Sequence, residues 1–101
     1  MSIISVRVNQ PANISRVVRA VRPITGESMA AIKAAVERGA PIFQRELFLN
    51  DFAEVAESLR QLVRELRLIG ASVTIREWDD EITEDVLLNI LQGSERYGLG
   101  G

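Results

Sequence analysis

The sequence contains neither cysteine nor histidine. The first absence removes disulfide frameworks, thiolate metal sites and cysteine nucleophiles, and the second removes imidazole metal sites and every mechanism that turns on a histidine base. No apolar run approaches the ~20 residues that a membrane span requires. The opening Met1-Ser2-Ile3-Ile4 also lacks the charged start and long apolar core of a secretion signal. The expectation is a cytoplasmic, non-enzymatic protein without cofactor, metal or membrane partner.

What remains is enough for a core. Across 101 residues, 47% hydrophobic and 26% charged, one compact domain is the expected organisation. The formal net charge of −2 conceals a division along the chain. Residues 1–45 carry seven cations and two anions, and residues 46–101 carry five cations and twelve anions. A basic first half and an acidic remainder read either as separate binding surfaces or as two solvated faces of one domain.

Ile4-Ser5-Val6-Arg7-Val8 alternates as a half-buried strand does, with Ile4, Val6 and Val8 on one face. Asn13 is placed to cap a following helix whose Ile14, Val17, Val18 and Val21 form one apolar stripe, with Arg16, Arg19 and Arg22 on the opposite side. Pro23 predicts the end of that helix near Arg22. Ser28 then caps a second helix carrying Met29, Ile32 and Val36 inward, which Gly39 and Pro41 terminate. A strand is expected within residues 42–49 through the shared parity of Phe43, Leu47 and Leu49, with Phe48 ambiguous. Asn50 or Asp51 caps the longest helix, which carries Phe52, Val55, Leu59, Leu62, Val63, Leu66 and Ile69 and stops at Gly70. Residues 71–78 alternate again, with Val73 and Ile75 on one side and Thr74, Arg76 and Trp78 on the other.

Strand-helix-helix-strand-helix-strand suits an α+β two-layer sandwich, with helices over one face of a small, mostly antiparallel three-stranded sheet. Residues 1–78 form that body in this reading. Residues 79–101 form an acidic connector, a short helix from a Thr83 cap to about Leu91, and a Gly-rich tail that looks mobile.

The run Val17-Val18-Arg19-Ala20-Val21-Arg22-Pro23-Ile24-Thr25-Gly26, with Lys33 seven residues on, Val36-Glu37, Ala40-Pro41 and Gly70-Ala71-Ser72-Val73, resembles the C-terminal domain of the bacterial ribosomal stalk protein over roughly residues 3–77. That domain belongs to a fold superfamily shared with the Clp protease adaptor. The resemblance implies a mobile module whose basic helical face binds translational GTPase factors, with Arg19, Arg22 and Lys33 as the matching positions. Arg16 lies on the same stripe without being a family position. The 101 residues include no counterpart of the stalk protein's N-terminal dimerisation region and hinge, so ribosome anchoring is not expected. The related adaptor recognises destabilising N-termini partly through a histidine, and this chain has none.

The arginine stripe is thus the leading candidate site. Guanidinium groups offer planar, bidentate donors to an acidic protein partner, although a solvated helix face can carry the same residues. The negative net charge and the lack of aromatic residues among these arginines argue against nucleic acid. Glu77, Asp79, Asp80, Glu81, Glu84 and Asp85 match no cation-binding loop and read as a solvated connector. Trp78, Leu87, Ile90 and Leu91 are the candidate contacts of a homodimer, the alternative role being an assembly protein that associates through the open sheet face and the C-terminal helix, unless that helix covers the sheet within its own chain.

Overall fold

The computed structural model describes residues 3–46 and 51–96. It is an α+β sandwich in which β1 (Ile3–Val8), α1 (Ile14–Thr25), α2 (Met29–Arg38), β2 (Phe43–Glu46), α3 (Phe52–Leu68), β3 (Val73–Glu77), β4 (Asp80–Ile82) and α4 (Glu84–Arg96) follow in chain order. The sheet is four-stranded and wholly antiparallel in the order β2-β1-β3-β4. Ile4, Val6 and Val8 of β1 are fully buried on one face, as the alternation predicts.

Local chemistry explains most element ends. The Asn13 side chain accepts from the Arg16 amide at 3.2 Å, and Ser28 accepts from Ala31 at 3.1 Å, so both caps satisfy an otherwise unpaired donor of a first turn. Gly26 and Gly39 end α1 and α2 in the left-handed region, at φ 74° and 69°, where a side chain would be strained. Asp51 precedes α3 without capping it, and its carboxylate accepts from Arg45 at 3.1 Å. The strand expected over 42–49 is described from Phe43 to Glu46, and its later residues lie outside the described part.

Several expectations are corrected. Helix α1 runs through Pro23 to Thr25 instead of ending at Arg22. Pro23 forfeits one helical hydrogen bond, but only two helical residues follow it, and the Gly26 cap closes the turn behind it. Met29 is 58% exposed, since α2 buries Ile32, Ala35 and Val36 instead. A fourth strand also appears where an acidic connector was expected. Asp80–Ile82 pairs with Ile75–Glu77 across a two-residue turn, so cross-strand pairing makes a strand out of a polar segment with little propensity of its own.

The boundary expected at residue 78 therefore falls inside the β3–β4 hairpin. Thr83 accepts from the Val86 amide at 3.1 Å and caps α4, which continues to Arg96, past the expected end at Leu91 and into the stretch read as a tail. Leu87 and Leu91 are wholly buried in the same core as Val17, Val21, Leu59, Leu62 and Leu66. Among the described residues, no helix is long and apolar enough to cross a membrane.

Candidate functional site

The first two helices lie side by side and leave a groove between them. Its floor is Ile14, Val18, Pro23, Met29 and Ala30, and its polar lining is Ser15, Arg19, Arg22 and Lys33. Three of the four cations singled out from the sequence are thus brought to one concavity. Arg16 is exposed on α1 but does not line it. Helical geometry accounts for the split. Val18 and Arg22 lie four residues apart, stacked on one face, whereas Arg16 is two residues from Val18 and projects elsewhere.

Two features set the chemistry of the groove. No carboxylate lines it, and among the described residues none of Arg19, Arg22 and Lys33 forms an ion pair. Among the described residues, its cations are therefore not met by a carboxylate. The second feature is the exposed Met29 thioether beside the rim of Val18, which is 8% exposed. A flexible, polarizable side chain of that kind adapts to varied apolar partners. The sequence placed Met29 in the core because it sits three residues before Ile32. Its position in the first turn of α2, directly after the Ser28 cap, was the signal available for an exposed residue.

The groove is rigidly supported from behind. Val17, Val18 and Val21 anchor α1 in the core. Helix α2 is held at its C-terminal end by Arg7, whose Nη1 donates to the Gly39 carbonyl at 3.0 Å, and by Gln10, whose Nε2 donates to the Val36 carbonyl at 3.1 Å. Both side chains belong to β1 or the turn that follows it. Lys33, on α2, is therefore placed relative to Arg19 and Arg22 by a sheet contact as well as by helix packing.

The second set of candidates is dispersed. Leu87 and Leu91 are 0% exposed within the single chain, so they have no surface to offer another copy, and Ile90 is partly buried against the same core. This corrects their reading as oligomer contacts: amphipathic α4 satisfies its apolar face by packing in its own chain. Trp78 is 56% exposed and has a φ of 55° in the β3–β4 turn. It borders the uncovered sheet face beside Ser5, Arg7, Thr74 and Arg76, which is polar rather than apolar.

The carboxylates after Glu77 are likewise distributed by the fold. Asp79 occupies the hairpin turn, Asp80 and Glu81 the edge strand, and Glu84 and Asp85 the first turn of α4, where anions complement the helix dipole. Glu84 also pairs with Arg67 of α3. Among the described residues, no group of three or more carboxylates is arranged to hold a metal ion. Compared with known proteins, the chain matches no protein-family model, no curated protein and no solved structure.

Proposed function

We propose that this chain is a non-enzymatic, adaptor-like interaction module that binds an acidic protein partner through the α1–α2 groove. The observation that carries the reading is the convergence of Arg19, Arg22 and Lys33 on an apolar floor with no carboxylate in the lining. A complementary partner presents an apolar side chain to Val18, Pro23 and Met29, with carboxylates around it that reach the guanidinium groups bidentately. The apolar contact supplies affinity, and the charges supply orientation and association rate. Arg16, outside the groove, adds to the attractive field without a contact of its own.

The resemblance to the stalk-protein C-terminal domain supports the same face and gives the reading a translational context, with a GTPase factor as the partner class. The fold alone would not carry this, because function resides in sites grafted on folds. The test is affinity purification from the native cell with the wild-type chain and with Arg19→Glu/Arg22→Glu. The proposal expects a partner with an acidic surface to be retained by the first and lost by the second. Equal recovery by both would remove the groove as the binding site.

A further inference from the structure

On the other side of α2 lies a second cleft of about 440 Å3 that shares no lining residue with the α1–α2 groove. One wall is the chain from Ala40 to Arg45, six consecutive residues, of which Phe43, Gln44 and Arg45 belong to β2. A strand that showed the cleft only a face would contribute alternate residues. A continuous run means that β2 borders the cleft with its edge. β2 is the terminal strand of the sheet, and no other strand among the described residues pairs with that edge. The opposite wall includes Ala31 and Ala35 of α2, whose small side chains leave the space open, and Val55 lies on the α3 side.

The other sheet edge contrasts with this one. β4 is three residues long, begins Asp80-Glu81 and is followed within two residues by α4. Short length and like charges blunt an edge against added strands. β2 is one residue longer, its charges Arg45 and Glu46 are of opposite sign, and a cleft of mixed polar and apolar lining lies alongside it.

We propose that the β2 edge and this cleft bind an extended peptide segment, which adds to the sheet as a fifth, antiparallel strand and places an apolar side chain between Ala31 and Val55. Charge placement sets the occupant's polarity. Arg38 ends α2, and only residues 39–42 separate it from β2, so it stands at the N-terminal end of that strand. Glu27, before α2, and Glu54, in the first turn of α3, stand at the other end, where Arg45 of β2 also lines the cleft but is paired with Asp51. An antiparallel peptide enters beside the two carboxylates and leaves beside Arg38. It therefore carries a basic residue early and an acidic residue late. Helix α2, ten residues long, spans about 15 Å, which about four or five extended residues cover. Main-chain pairing provides the affinity and the alternate side chains the selectivity.

The probe is the pentapeptide Ac-Lys-Val-Leu-Val-Glu-NH2, titrated into the full chain and followed by backbone amide chemical shifts. The proposal expects shifts concentrated at Ile42–Arg45 and along α2. It expects at least tenfold weaker binding for the same peptide N-methylated on alternate amides, and for the charge-swapped Ac-Glu-Val-Leu-Val-Lys-NH2. Arg38→Glu should remove most of the preference between the two charge orders, because both ends of the cleft are then acidic. Ala31→Phe, at an exposed position, should fill the cleft and weaken binding tenfold while leaving the melting temperature within a few degrees. No shifts at millimolar peptide, equal binding of the N-methylated peptide, or shifts confined to the α1–α2 groove would each overturn the proposal, and none of these results depends on a variant folding.

Discussion

The Gly26 amide donates to the Arg22 carbonyl at 2.9 Å, closing the last turn of α1 across Pro23. That bond keeps Arg22 on the helix and in the groove, although Pro23 lacks the N–H that would have reached the Arg19 carbonyl four residues back. A residue that breaks most helices thus lines the α1–α2 groove next to Arg22.

Replacing Pro23 by alanine restores that donor and should stabilise the chain. The gain is expected to be about 1–2 kcal/mol, below the ~3 kcal/mol for a helix-interior proline, because the position lies in the last turn and the unfolded chain regains entropy. Urea denaturation followed by circular dichroism measures it. An unchanged or lowered midpoint would show that the α1 end does not depend on the missing bond.

Leu87→Ala and Leu91→Ala should each destabilise the chain by about 2–5 kcal/mol, the range for emptying a buried leucine site. The loss should be independent of protein concentration over a hundredfold range, because both side chains are buried within one chain. A midpoint that moved with concentration would return α4 to the role of an oligomer contact.

Trp78 offers a test of backbone geometry that separates the ring from its φ. Trp78→Ala and Trp78→Gly lose the same indole, but only glycine accepts a φ of 55° without steric cost. The glycine variant should be more stable than the alanine variant by about 1 kcal/mol, the reverse of their order at an ordinary strand position. Thermal melts of the two variants decide it, and an alanine variant of equal or greater stability contradicts the turn conformation.

At the start of α4, a cap and an ion pair stand side by side. Thr83→Ala removes the oxygen that accepts from Val86 and should cost about 1 kcal/mol. Glu84→Gln breaks the exposed pair with Arg67 and should cost well under 1 kcal/mol, because solvent and salt screen it. Chemical denaturation at two salt concentrations distinguishes them, since only the second effect should shrink as salt rises.

Helices and their caps were legible because they depend on near neighbours. Asn13, Ser28, Thr83 and Gly39 all act within four residues of their own positions. β4 was not legible for the opposite reason. Asp80-Glu81-Ile82 has no apolar alternation, and what makes it a strand is its partner β3. The cations of the groove could be chosen from α1 and α2 separately, yet their convergence with Met29, and the exclusion of Arg16, depend on how the two helices lie together. The same limit applied to Leu87 and Leu91. Periodicity showed that α4 needed a surface to cover, without showing that its own chain supplied one.

The central claim is that the α1–α2 groove binds through its unpaired cations. It is tested most directly by the affinity of the recovered partner for the wild-type chain and for Arg19→Glu/Arg22→Glu, each measured from low to physiological salt. The account predicts wild-type binding that weakens steadily with salt, and a loss of at least a hundredfold in the variant at low salt, with the fold and melting temperature retained. Equal affinity of the two proteins across the salt series would contradict it.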